Sequence, residues 1–157
     1  MNEDELLSRE LAKLGGVGGA FGGAVSGGAA GGVGGERGGS AGAAVASKFL
    51  PSEYLQTEIE LDVEPQALLK SAYSFFEANG EVLGEGDDSE SRYPKVSGVV
   101  GSGFFNMNPT VLHVEIAAKE EKCSVLLTGH AKEGLIKQRS AEKAVGRMAD
   151  FLPAAVQ

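Results

Sequence analysis

The stretch that decides the fold is Thr57–Gly80, TEIELDVEPQALLKSAYSFFEANG. Its first part alternates. Thr57, Ile59, Leu61 and Val63 fall on one side, and Glu58, Glu60 and Asp62 on the other. A period of two with one apolar side is the mark of a half-buried strand. The period then changes. Pro65 suits a first helical position, because its fixed φ fits and its missing N–H has no intrahelical partner there. Gly80 suits the position just past the helix end. Between them Leu68, Leu69, Ala72, Phe75 and Phe76 make one apolar face. A strand with one side to cover, followed by a helix able to cover it, points to layered α+β packing.

The chain after Gly80 continues in kind. EVLGEGDDSESRYP (81–94) reads as a short strand and an acidic turn. KVSGVVGSGFF (95–105) reads as a strand whose glycines suggest bulges or close approach. After the turn NMNP, TVLHVEIAA (110–118) turns Leu112, Val114 and Ile116 inward and His113 and Glu115 outward. KEEK reverses the chain, and CSVLLTGHAK (123–132) puts Cys123, Val125 and Leu127 on the inner face. LIKQRSAEKAVGRMADFLP (135–153) is helical, with Ala141, Ala144, Val145, Met148 and Phe151 as its stripe and Pro153 as its stop.

The expected class is therefore α+β: a two-layer antiparallel sheet of four to five strands with two helices, in the order β-α-β-β-β-β-α. The 48–157 region resembles helix-grip domains by fold analogy, which carries no function with it.

Upstream, residues 3–14 form an amphipathic helix. Leu7, Leu11 and Leu14 recur at helical spacing, and Glu3, Asp4 and Glu5 sit where acids complement the helix dipole. Three regions follow: a helix at 1–14, a glycine-rich segment at 15–47 and a globular domain at 48–157.

The glycine-rich segment has a period. Most of the chain's 24 glycines lie between Gly15 and Gly42. Every fourth residue from the first is glycine: Gly15, Gly19, Gly23, Gly27, Gly31, Gly35 and Gly39, extended by Ala43 and Ser47. A second row collects the larger apolar residues, with Val17, Phe21, Val25, Val33 and Val45. On a helix these rows are a smooth groove and an apolar ridge. Flexible linkers need no such order. Residues 14–47 resemble the glycine-zipper segments of small membrane-associated bacterial proteins. That resemblance implies two glycine-rich helices in close contact, joined by a short polar turn, here Glu36–Arg37. It makes the seven glycines a helix-packing surface.

A lone helix in water would carry the glycine penalty unrelieved. Each glycine costs about 1 kcal/mol relative to alanine, so residues 14–35 lose on the order of 10 kcal/mol. Close packing or a membrane must offset that. As one straight helix, 14–35 would run roughly 33 Å, close to the hydrocarbon thickness. Residues 38–47 are too short to span. One span, a re-entrant hairpin, a surface oligomer and a disordered tail all remain open.

Charge and composition narrow the function. Net charge is −8 with no basic stripe, which excludes nucleic acid as the expected partner and gives no attraction to anionic lipid. The single cysteine, Cys123, excludes an intrachain disulfide. The acidic start MNEDELLSRELAK lacks the features of a secretory signal, so the expected location is the cytoplasm or the cytoplasmic side of a membrane.

No catalytic motif is present in its required context. Gly38-Gly39-Ser40-Ala41-Gly42 matches GxSxG, but no strand precedes it and the repeat generates such matches. Neither a Rossmann GxGxxG nor a P-loop occurs. Asp87, Asp88 and Glu90 read as a solvated hairpin tip, without EF-hand spacing. His113 and His130 fall on neighbouring strands, facing away from the apolar sets, with no defined third ligand. Cys123 points inward as a small apolar residue. Lys132, Lys137, Arg139, Lys143 and Arg147 make the one basic patch, a candidate surface for a polar partner.

These readings converge on a non-enzymatic binding or assembly protein without cofactor or metal. Its glycine-zipper segment would pack helices in a membrane or an oligomer, giving self-association. The alternative is a soluble α+β ligand-binding or enzymatic domain with a disordered glycine tail. A small apolar ligand would then lie between the sheet and the last helix, where Gly98, Gly101 and Gly103 make room.

Overall fold

Thr57–Leu61 lies within a longer strand, β1 (Ser52–Leu61), whose side chains alternate between exposed and half-buried along its length. The computed structural model describes residues 2–85, 93–102, 108–119, 122–133 and 137–156. After β1 come α2 (Pro65–Asn79), β2 (Gly80–Glu85), β3 (Lys95–Ser102), β4 (Asn108–Lys119), β5 (Lys122–Lys132) and α3 (Ser140–Ala155), all preceded by α1 (Glu3–Ser47). The sheet has five strands in the order β1-β5-β4-β3-β2, and every neighbouring pair is antiparallel. β2 to β5 form a meander. β1 and β2 are the two edges, so α2 carries the chain across one face of the sheet to join them.

That inner face holds the core. Leu68, Ala72, Phe75 and Phe76 of α2 meet Val96, Val100, Leu112, Val114, Ile116, Val125 and Leu127 of the strands and Ala144, Val145, Met148 and Leu152 of α3. α3 lies along β5, β1 and β4 beside α2. The α+β class and the strand–helix order expected above are those of the structure. Residues 81–84, the start of the short strand expected after Gly80, are part of β2, with a register shift between Val82 and Gly84.

The last helix begins later than its sequence suggests. Residues 137–139 are irregular, and Arg139 takes a left-handed conformation (φ 53°) before Ser140 opens α3. Two carboxylates serve as the cap. Glu133 accepts hydrogen bonds from the backbone N–H groups of Gln138 and Ser140, the latter at 2.8 Å. Glu53 accepts from Ala141 N–H at 2.9 Å. Pro153 does not stop the helix. It sits in the last turn, which runs on to Ala155.

The outer face is covered as well, by α1. Leu7 is buried to 1% exposure against Val99 and Val111, flanked by Leu6 and Leu83. Full burial of one leucine is worth about 2 kcal/mol, enough to dock a first turn. Asn2 caps that turn, its side chain accepting from Asp4 N–H at 3.1 Å.

α1 is not one straight rod. Gly15 faces Gly39 and Ala43, Gly19 faces Gly35, and Gly23 faces Gly31. A straight helix would separate Gly19 from Gly35 by about 24 Å. The pairs instead nest around residue 27, so the helical segment doubles back there. This corrects two expectations. The reversal is not at Glu36–Arg37, which lie within the helical return arm. Nor does 14–35 run on as one span, and among the described residues no helix is long and apolar enough to cross a membrane. The segment is helical, not a disordered tail.

Candidate functional site

Two features bear on function, and α1 makes both. The first is the hairpin. Leu7 and Leu11 lie on the same four-residue row as Gly15, Gly19 and Gly23. The row carries leucine where it meets the sheet and glycine where it meets the return arm. Gly31, Gly35 and Gly39 supply the facing surface, while Gly27 lies at the centre of the nested pairs. A Cβ at any of the six paired positions would overlap backbone of the other arm, so only glycine allows this separation.

The valine row lies two residues, roughly 200°, from the glycine row and so points away from the partner arm. Val17 and Val25 are 69% and 77% exposed on the outgoing arm, Val33 and Val45 53% and 58% on the return arm. The hairpin thus has two apolar edges. Phe49, just past its end, is 83% exposed. Ser40 is helical, its hydroxyl donating to the Glu36 carbonyl at 2.8 Å, which is no strand-to-helix elbow.

The second feature is a polar cluster between the start of α1 and the sheet. The parity that turns Val125 and Leu127 inward turns His130 and Lys132 outward on β5, and on β4 it turns His113 outward. His113 pairs in register with Thr128, and His130 with Val111, which makes the histidines diagonal neighbours. Their ring centroids are 5.9 Å apart. Ser97 of β3, opposite His113, places its hydroxyl 2.7 Å from Nδ1. Tyr54 of β1, opposite His130, meets that ring edge-on at 4.9 Å. From above, Glu3 brings a carboxylate oxygen to 3.5 Å from His113 Nε2. Asp4 pairs with Lys132 at 3.1 Å and accepts from the Ser52 hydroxyl at 3.1 Å. The hydrogen bond from Lys132, then that from Ser52, holds the Asp4 carboxyl below the ordinary carboxylate range.

The basic residues grouped by sequence do not form one patch. Lys132 is buried on the outer face, committed to Asp4. Arg147 lies across the far end of α2, donating to Asn79 and, at 3.1 Å, to the Gly101 carbonyl, with its guanidinium 5.7 Å from the Phe75 ring centre. Arg139 pairs with Glu142 at 3.6 Å. Lys137 and Lys143 are exposed.

The interior offers no room at Gly98. A Cβ there would overlap the Phe76 ring, so the space left by the missing side chain is filled by phenylalanine. The Gly101 carbonyl holds Arg147, and Gly103 lies outside the described residues, as do Asp87, Asp88 and Glu90. A cavity of about 340 Å³ opens elsewhere, at one end of the sheet between Asp62–Pro65 and Ala118, Lys119, Lys122 and Cys123. The Cys123 thiol donates to the Val63 carbonyl at 3.0 Å, and burial pushes its pKa up. It is a poor nucleophile.

No protein-family model matches the chain, and no curated protein matches its sequence. Some solved structures are similar in general shape. One is described as Ara h 8.0201, at 12% identity over 68% of this chain and 95% of that one, with a TM-score of 0.44. A second is TTHA0849 from Thermus thermophilus, at 12% identity over 66% and 94% of the two chains, with a TM-score of 0.31. The di-domain ARO/CYC StfQ from the steffimycin biosynthetic pathway is a third, at 7% identity over 76% and 54%, with a TM-score of 0.31. No residue role carries over from likeness at this level.

Sequence reasoning missed Glu3 as a partner of the histidines. It arrives from the far end of the chain, and the one signal for it was Leu7, whose helix had to cover some apolar surface.

Proposed function

We propose that the chain is a non-enzymatic assembly protein in which the glycine-packed hairpin of α1 mediates self-association through its valine edges. The observation that carries this reading is the exposure of Val17, Val25, Val33 and Val45 on a hairpin whose glycines are already used internally. Valine is costly to leave in a row against water, and single exposed residues would need no explanation whereas a row does. A second copy suits these edges better than lipid. The hairpin is rich in glycine, its arms are short, and net charge −8 gives no pull toward an anionic bilayer. On this reading the α+β domain is the cargo or platform that the hairpin gathers, in a reducing compartment such as the cytoplasm.

Native mass measurement of the full chain tests it. The expected result is a multiple of the protomer mass that falls to the protomer when Val17 and Val33 are both replaced by lysine. A wild-type monomer overturns the reading, and partition of the wild type into phosphatidylcholine vesicles without self-association replaces it with a membrane one.

A second reading, binding of a small ligand by the α+β domain, is favoured by the cavity beside Cys123, whose volume lies at the lower end of ligand pockets. Its lining mixes Val63, Pro65 and Ala118 with Asp62, Glu64, Lys119 and Lys122, which suits a small amphipathic ligand, for which short-chain acids are a simple probe. Chemical-shift changes at Val63 and Ala118 on titration with short-chain carboxylic acids would support it, and their absence would count against it.

A further inference from the structure

We propose that Glu3, His113 and His130 form a site for one zinc-class divalent metal ion that fastens the first turn of α1 to the outer face of the sheet. The chain has only two histidines, and both are here. One ligand atom from each of the three residues lies within 4.8 Å of the others. Zinc–nitrogen and zinc–oxygen bonds of about 2.0–2.2 Å in a tetrahedron put neighbouring ligand atoms roughly 3.3 Å apart. The three groups therefore need to close by about 1.5 Å at most, within reach of side-chain rotation.

The parts differ in rigidity in the way a site requires. The imidazoles stand on adjacent central strands, β4 and β5, where the backbone is fixed by pairing on both sides. His113 is 14% exposed and bonded through Nδ1 to Ser97, which leaves Nε2 as its metal-facing atom. That is the same nitrogen that Glu3 approaches. Hydrogen bonding at the second ring nitrogen is how proteins orient a ligating histidine and choose its tautomer. Tyr54 holds the outer side of the His130 ring. Glu3 is the adjustable member, 43% exposed at the first turn of a helix. Asp4 is already held by Lys132 and Ser52, and Glu115 by Lys95 at 3.6 Å.

Donor chemistry selects the ion. Two imidazole nitrogens and one carboxylate oxygen suit zinc and its first-row neighbours, not calcium or magnesium, which take oxygen ligands. Three protein ligands leave a fourth position for water. The consequence is mechanical. The ion ties Glu3 to the sheet close to Leu7, and so fixes the base from which the hairpin projects.

The test is titration of the metal-free full chain with Co2+, followed by its visible absorption, and then displacement by Zn2+. The expected result is one equivalent bound per chain, with tetrahedral-type bands, and slower hydrogen exchange in residues 3–14 when metal is present. His130→Gln should weaken binding by about a hundredfold, and Glu3→Gln by about tenfold or more. Both positions are partly exposed, so the fold survives both changes. Binding that is no tighter in the wild type than in His130→Gln overturns the site. Binding that Glu3→Gln leaves unchanged, or that leaves exchange in 3–14 unaltered, overturns the clamp, and the Glu3–His113 contact is then a plain ion pair.

Discussion

A Cβ on Gly19 would overlap the carbonyl oxygen of Gly35, and a Cβ on Gly35 would overlap that of Gly19. The relationship is reciprocal and involves backbone on both sides, so no rotamer change relieves it. It sets helix propensity against packing at one position. Gly18 and Gly34, one residue before each, have open space where a methyl group would stand. Gly19→Ala should therefore destabilise the hairpin by about 1–3 kcal/mol despite the better helix former. Gly18→Ala and Gly34→Ala should stabilise it by about 0.5–1 kcal/mol. Urea melts followed by helical circular dichroism give the sign of each. If Gly19→Ala is as stable as Gly18→Ala, the arms are not in contact.

Leu7 is the apolar anchor of α1 on the sheet, with Val99 and Val111 beneath it. Leu7→Ala should cost about 2–4 kcal/mol, as cavity-forming leucine changes do. The fragment 48–157 keeps every inner-face contact and should still unfold cooperatively, at a lower urea midpoint than the full chain. A fragment with no cooperative transition would mean that α1 is part of the core and not a cover for it.

The inner face was legible because its signal is local: Ile59 and Leu61, Leu112 and Val114, Val125 and Leu127 each alternate within one strand. The glycine period was legible too, but a row of small residues does not say which row it meets. The charged pair Glu36–Arg37 suggests the turn, while the true reversal falls near Gly27, where no charged residue marks it and the one polar neighbour, Ser26, bonds back to the Gly23 carbonyl. A different signal was present and passed over. With Cys123, Val125 and Leu127 inward, Lys132 must face outward, on the opposite side of the sheet from Arg147. The meeting of Glu3 with His113 had no local signature, since it depends on where Leu7 docks.

Gly98 and Phe76 make a small-large pair across the α2–β3 contact, the ring occupying the place of a side chain. Gly98→Ala should destabilise by about 1–3 kcal/mol through overpacking. Phe76→Leu alone leaves a gap and should also cost stability. The double variant should be more stable than the sum of the two losses implies, by at least about 0.5 kcal/mol, because each change makes room for the other. Strict additivity in a urea-melt cycle would show that the ring does not depend on the missing side chain.

Glu133 gives the fold a defined response to acid. It is 6% exposed and, among the described residues, makes no ion pair with a lysine or arginine, yet it stays charged. Burial pushes its carboxyl up, but the hydrogen bonds from the Ser140 and Gln138 amides, together with those shared with the Ser140 hydroxyl and the neighbouring Glu53 carboxyl, outweigh that and hold it below the ordinary glutamate range. A carboxyl whose folded pKa is depressed stabilises the fold above its unfolded value and ceases to do so as pH falls through the folded one. The contribution is thus fully present at pH 7 and disappears below roughly pH 4, the ordinary range for glutamate. Glu133→Gln retains an acceptor for one amide but loses the charge at the start of α3. It should cost about 1–3 kcal/mol at pH 7, the range for hydrogen bonds to a charged group. Urea midpoints for wild type and variant, measured from pH 7 down to pH 3, should converge as pH falls. A gap that stays constant over that range, or widens, would show that the amides are held by shape alone and that the charge on Glu133 contributes nothing to the start of α3.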